Sequence, residues 1–251
     1  MQKEMSLDRK PSGFLFASVV TVYVMAYAFA GIFMMKILGS PISGVPFAIA
    51  ADICFFVILY IGSDIFSQVY GYKVSRQTAW LAAGVSVGLG IIGKALTFIP
   101  AAPGNEFMDE IFGVIYGGNF YITFMGIVVF FIGDWINDII FQRYRIKHKN
   151  DMSFGKFTFR SIWSSFWGRL FDVAAFTVLV NLVINAPDLG LGGPFIWIHS
   201  VLRLESWQQS WGVIIASMIC TAILQPILEL CFSPLSRKVC MLFMEQADKE
   251  V

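Results

Sequence analysis

The sequence predicts an all-α polytopic membrane protein with six transmembrane helices and both termini in the cytoplasm. Three observations predict it. The 251 residues are 57% hydrophobic and only 14% charged, where a soluble domain carries roughly a quarter charged residues. The mean hydropathy is +0.70. The apolar residues fall in continuous runs rather than in the alternation a membrane β-barrel needs.

Six runs approach or exceed the ~20 apolar residues that cross a bilayer core as a helix. The first covers about 12–35 and carries no charge until its end. The second covers about 45–67 and contains Asp52 and Asp64. The third covers about 80–99, with Lys94 near its end. The fourth, about 111–141, holds Asp134 and Asp138 and is longer than a bilayer requires, so its first residues are expected at the interface. The fifth, about 161–184, contains Arg169 and Asp172, and the sixth, about 211–232, contains Glu229. Together they make residues 1–251 a single integral membrane domain.

Orientation follows the distribution of Lys and Arg. Fourteen fall on one side: Lys3, Arg9, Lys10, Lys73, Arg76, Arg143, Arg145, Lys147, Lys149, Lys156, Arg160, Arg237, Lys238 and Lys249. Three, Lys36, Lys94 and Arg203, fall on the other, and Arg169 is intramembrane. This asymmetry places both termini inside and the basic turn Lys73–Arg76 in a cytoplasmic loop. The longest outward loop holds Pro187, Pro194, a glycine-rich run, Trp197 and Trp207. It reads as an interfacial half-helix or as a lid over a cavity. The first run is too long for a signal-peptide core and lacks a small-residue cleavage site.

Metal and disulfide chemistry find little support. Cys54, Cys220 and Cys231 lie in apolar runs, Cys240 just follows the last, and none forms a CxxC pair, so buried reduced thiols are expected. His148 and His199 are far apart in polar segments. No cofactor and no metal are expected.

The chemistry sits in the charges inside the runs. Asp52, Asp64, Asp134, Asp138, Asp172 and Glu229 are accompanied there by one base, Arg169. An intramembrane carboxylate costs several kcal/mol unless protein, water or ligand compensates it, and marks a functional site by default. Asp138 and Glu229 fall near cytoplasmic ends and read as hydrated carboxylates near Arg143 or Arg237. Arg169 and Asp172, three residues apart, share a helix face and form an internal ion pair, a substrate contact, or both. Asp134 and Asp138 also share a face, with Asn137 beside them. Asp52 and Asp64 are 12 residues apart, about 120° around a helix. Asp64 is the better candidate because Gln68, one turn on, extends its polar stripe. Asn119, after Gly117-Gly118, is placed to read the polar edge of a ligand. Gly84, Gly88 and Gly90 read as packing residues, and Pro226 as a kink in the sixth run.

Three segments together resemble the VUT family of queuosine-precursor (vitamin-type) uptake transporters. The first is Gly62–Arg76, GSDIFSQVYGYKVSR, with Asp64, the Tyr70-Gly71 pair and Arg76. The second is Gly133–Phe141, GDWINDIIF, followed by Arg143. The third is Ser164–Asp172, SSFWGRLFD, followed by Phe176. The chain departs from the pattern at Gln68, where many members carry a charge, at Asn137, and before Pro226, where some relatives carry a lysine. The resemblance implies uptake of a 7-deazaguanine such as preQ0 or preQ1 across the plasma (inner) membrane. The candidate substrate-binding residues are Asp64, Gln68, Asn119, Asp134, Asn137, Arg169 and Asp172.

Three function classes remain. The first is a small-molecule importer, working alone or as the substrate-binding subunit of an energy-coupling-factor vitamin transporter. The chain has no Walker A pattern, so any ATPase would be a separate module. The second, an intramembrane aspartyl hydrolase, needs two carboxylates on different helices, such as Asp134 and Asp172. GDWIND is not the Gly-x-Gly-Asp arrangement of such proteases, and no enzymatic activity is expected. The third, a scaffold with structural ion pairs, sits poorly with unbalanced buried acids. The expected partners are a deazapurine or vitamin-like molecule and the lipid bilayer, with no nucleic acid.

Overall fold

A computed structural model describes residues 13–33, 36–39, 48–148, 151–184, 190 and 211–249. Within them the chain is helical except for one small ribbon and the connections. Helix α1 is Gly13–Phe33. Strands β1, Ile37–Gly39, and β2, Ala48–Ala50, pair antiparallel with Leu38 opposite Ile49. Helix α2 is Ile53–Val69 and α3 is Tyr72–Leu96. A short α4, Phe107–Phe112, runs through a π-helical stretch, Gly113–Gly118, into α5, Asn119–Lys147. Helix α6 is Phe154–Ile184 and α7 is Trp211–Lys249.

Among the described residues, five helices are long and apolar enough to cross a membrane: α1, α3, α5, α6 and α7. Helix α2 is apolar but has 17 residues, about 25 Å at 1.5 Å per residue, short of the ~30 Å hydrocarbon core. The run expected from residue 45 is shortened because its first part forms the β ribbon, whose strand β2 ends at Ala50.

The end of α2 is set by Gly71. Its φ of 83° and ψ of 169° lie in a region open essentially to glycine alone. The backbone therefore leaves α2 and enters α3 within two residues. Tyr70 anchors this corner, its ring edge-on to Phe16 of α1 and Phe243 of α7, with centroids 5.0 and 5.7 Å apart. Helix α3 consequently begins at Tyr72, eight residues before the expected Trp80, and Lys73–Arg76 is its first turn rather than a loop. Lys73, Ser75, Arg76 and Gln77 depress the local hydropathy, so this first helical turn has the composition of a loop.

The fourth run also differs from a single rod. Gly117 has a ψ of −106° inside the π-helical stretch, and the carbonyl it turns aside accepts a hydrogen bond from Lys94 Nζ at 3.3 Å. π-Helical turns of this kind occur mostly as local insertions in α-helices. At its other end α5 continues to Lys147, six residues past the expected boundary. Helix α7 passes through both Pro226 and Pro234 to Lys249. Each proline lacks an N–H, so the carbonyls of Ala222 and Leu230 have no helical donor.

Helices α5 and α6 pack backbone to backbone at Gly133 and Gly168. A Cβ on Gly133 would lie 2.8 Å from the Gly168 carbonyl oxygen and 2.8 Å from Asp172 Cβ. One on Gly168 would lie 2.8 Å from the Gly133 carbonyl oxygen and 2.9 Å from Asn137 Cβ. The packing glycines are thus these two, inside the GDWIND and SSFWGR segments. Gly84 and Gly88 face open space, contrary to the expectation from sequence, and Gly90 lines an apolar groove with Ala28, Gly31 and Tyr116.

An aromatic core joins α1, α2 and α5. Phe130 stacks edge-on with Tyr27, Phe56 and Tyr60, at centroid distances of 5.0, 4.8 and 5.8 Å. The outward faces carry Trp80, Ile92, Ile132, Trp167, Ile219 and Ile227, all exposed. Apolar side chains outside and carboxylates inside is the arrangement expected of a bundle in lipid.

Candidate functional site

The close approach of α5 and α6 brings their polar stripes against α2. Asp134, Asn137 and Asp138 on α5 are fully buried. On α6, Ser161, Ser165, Arg169 and Asp172 recur at spacings of four, four and three residues, so they line one face, and all four are buried. Helix α2 supplies Ser63, Asp64, Ser67 and Gln68, likewise buried. Four polar groupings result.

The first is built around Arg76. Its guanidinium pairs with Asp134 and, through Nε, with Asp138 Oδ2 at 2.7 Å. The other oxygen of Asp138 accepts from the hydroxyls of Ser63, Ser67 and Ser75 at 2.9, 2.7 and 3.0 Å. Asp138 is therefore a saturated structural carboxylate, not a hydrated one. Arg143, its expected neighbour, points outward and is exposed. Among the described residues two bases, Arg76 and Arg169, pair with these acids, where the apolar runs contain one.

The second is Asp64. It is wholly buried, accepts a hydrogen bond from the Ser161 hydroxyl and takes a long one from Asn137 Nδ2 at 3.4 Å. The Asn137 carbonyl in turn accepts from Ser165 at 3.4 Å. Among the described residues Asp64 has no ion pair: its hydrogen-bond partners are neutral. Gln68, one turn on, is also wholly buried.

The third is the Arg169–Asp172 pair, which forms as the spacing predicts. The guanidinium carbon lies 3.8 Å from the centroid of the Phe56 ring, a cation–π contact made stronger by desolvation. The Tyr60 hydroxyl and Arg169 Nε are buried without a hydrogen-bond partner. Asp52 lies just before α2, 6% exposed, with one unpartnered oxygen.

The fourth is Gln225 and Glu229, one turn apart on α7. Glu229 is 2% exposed and accepts from Gln225 Nε2 at 2.9 Å. It is not the hydrated end-of-helix carboxylate expected beside Arg237, which instead donates to the Met152 carbonyl at 2.7 Å.

Of the residues singled out from sequence, Asp64 and Asn137 are in contact, Arg169 and Asp172 are in contact, and Asp134 joins Arg76. Gln68 shares the α2 face with Asp64. Asn119 begins α5, but its side chain lies outside the described residues, as does most of the glycine-rich loop read as a lid. Arg76, Ser161, Ser165, Gln225 and Glu229 were missed as members. The serines had a legible signal in the four-residue stripe ending at Arg169 and Asp172. Among the described residues no group of three or more His, Cys, Asp or Glu is placed to hold a metal.

Set beside known proteins, residues 50–239 match the family model described as putative vitamin uptake transporter. That range takes in α2, α3, α5, α6 and most of α7, and all four polar groupings. No curated protein and no solved structure matches.

Proposed function

Because the chain belongs to the vitamin uptake transporter family, we propose that it imports a queuosine precursor of the 7-deazaguanine type across the plasma membrane. In this reading α2 completes a set of six spans, and both termini are cytoplasmic. The observation that carries the proposal is Asp64: a carboxylate buried in the bundle with only neutral hydrogen-bond partners, beside amides and hydroxyls from three helices. A buried carboxylate with no ion pair is costly, and Arg160, the buried cation that acts on it from a distance, is hydrogen-bonded instead to Asp151 and Met152. It is compensated when a ligand bearing N–H donors arrives, or when it takes up a proton that travels with the ligand.

The chemistry of a deazaguanine fits this setting. The flat base offers N–H donors on one edge and a carbonyl acceptor beside them. Asp64 and Asn137 supply an acceptor and an amide, and Gln68 a second amide one turn away. Tyr60, one turn before Asp64, supplies a buried aromatic ring and an unpartnered hydroxyl. Arg169 and Asp172 form the wall of the site opposite α2, and Asp134 is held at its edge by Arg76. In this proposal the pairs from Arg76 to Asp134 and Asp138 hold α3 against α5, while Asp64 meets the substrate.

The test is uptake of radiolabelled preQ0 into proteoliposomes containing the purified protein, with no ATP present. Accumulation that D64N abolishes supports a secondary carrier using this site. Flux that begins only when a separate ATPase module is added assigns the chain to the energy-coupling design instead. Absence of preQ0 flux in both cases overturns the substrate.

A further inference from the structure

The Gln225–Glu229 pair lies outside the set of residues picked from sequence, and its geometry is more specific than its composition. Gln225 donates its amide N–H to one oxygen of Glu229 at 2.9 Å. A carboxylate accepts and does not donate when ionised, so this bond fixes which way the amide points. The remaining oxygens, Gln225 Oε1 and Glu229 Oε2, are buried and make no hydrogen bond. Their residues are 0% and 2% exposed.

With Glu229 ionised, everything this pair leaves open is an acceptor. Pro226, between the two residues, adds a third: without its N–H, the carbonyl of Ala222 has no helical partner, and Ala222 is buried. The surroundings supply one hydroxyl donor, Ser165 of α6, and it is shared with the Asn137 carbonyl. Asp64 of α2 is near enough to interact electrostatically with Glu229. Arg169, the cation that acts on Glu229, is committed to Asp172. Helices α2, α6 and α7 thus converge on two carboxylates and unpaired acceptor oxygens. A buried acceptor left unpaired is costly, and more so when charged. A ligand offering adjacent N–H groups relieves that cost and the repulsion between the carboxylates together.

We propose that Gln225 and Glu229 read the donor edge of the substrate, the ring N–H and exocyclic amine of a 2-amino-pyrimidinone. This deepens the transport proposal and rests on it. A carboxylate facing two adjacent N–H groups makes two near-parallel hydrogen bonds, the pattern that gives planar, bidentate recognition its strength. Gln225 holds the carboxylate in the plane of the base, and Asp64 with Asn137 lies next to it on α2 and α5. The pair selects for the 2-amino group: a base without it leaves Glu229 Oε2 buried and unpaired, and sites of this kind discriminate strongly.

The experiment is calorimetric binding to the purified full chain in detergent, comparing 7-deazaguanine with 7-deazahypoxanthine, which lacks the 2-amino group. Wild-type protein is expected to bind 7-deazaguanine at least tenfold more tightly. E229Q is expected to bring the ratio of the two affinities to about one. Q225L, which lets the carboxylate rotate, is expected to narrow the ratio while leaving Glu229 in place. A ratio unchanged in E229Q overturns the assignment and leaves the transport proposal standing. If E229Q does not yield monodisperse protein, an unchanged ratio in Q225L overturns it equally. Wild-type protein that binds neither base overturns the substrate reading, and this assignment with it.

Discussion

Arg76 donates through Nε to Asp138 Oδ2 at 2.7 Å, joining the first turn of α3 to α5 across 62 residues of sequence. The same guanidinium pairs with Asp134 one turn earlier on α5, and its carbon lies 5.2 Å from the centroid of the Phe131 ring. The corner at Gly71 is what brings this arginine back into the bundle. Asp134, which looked available to substrate from sequence, and Asp138, which looked hydrated, are thereby held by a base that looked external.

Removing one partner of such a buried pair costs about 3–5 kcal/mol, because the other charge stays behind unpaired. R76Q is therefore expected to lower the melting temperature in detergent sharply and to reduce the amount of folded protein. The double variant R76Q/D138N is expected to be less destabilised than the two single changes added together, because they remove partners of one interaction. Strict additivity would contradict the pairing.

The contact between Gly133 and Gly168 predicts an opposite pair of outcomes for one kind of substitution. G133A and G168A each force backbone and side-chain displacement and are expected to cost about 1–3 kcal/mol. G84A, where an added methyl meets nothing within 4 Å, is expected to be neutral or stabilising by up to about 1 kcal/mol, as glycine is a poor helix former. Thermal melts of the three proteins check the contrast. Equal effects would remove the basis for placing Asn137 and Asp172 by this helix crossing.

Gly71 carries a conformation that a side chain enters only with strain, about 1–3 kcal/mol. G71A is expected to destabilise by that amount and to reduce uptake through displacement of Arg76. Limited proteolysis at the α2–α3 corner reads the change directly. Wild-type protection in G71A would mean the corner has another conformation.

How much was legible beforehand depended on the range of each signal. Helix existence follows from apolar runs, and α1, α3, α5, α6 and α7 all coincide with predicted runs. The Arg169–Asp172 pair was legible because three residues on one helix is a local spacing. Arg76 was not legible, since its partners are 58 and 62 residues away and its four-residue surroundings look like a loop. Gly133 and Gly168 were passed over for Gly84 and Gly88 because composition shows which residues are small but not which face meets a neighbour. Glu229 was read from its distance to the helix end, yet α7 continues past two prolines to Lys249 and buries it. The β ribbon was hidden because a short apolar strand and the start of an apolar helix have the same composition.

An ion-paired acid, Asp172, and one without an ion pair, Asp64, predict different failures. D172N leaves Arg169 buried without its charge partner and is expected to lose folded protein along with uptake, read by the yield of monodisperse protein. D64N removes a charge that is already without an ion pair, so it is expected to preserve folding. The reverse pattern would exchange their roles.

Labelled preQ0 uptake by proteoliposomes carrying wild-type or D64N protein at equal, folded density tests the central claim most directly. The account predicts robust uptake by wild type and a loss of at least tenfold in D64N, with an unchanged melting temperature in the absence of substrate. Undiminished uptake by D64N would contradict it.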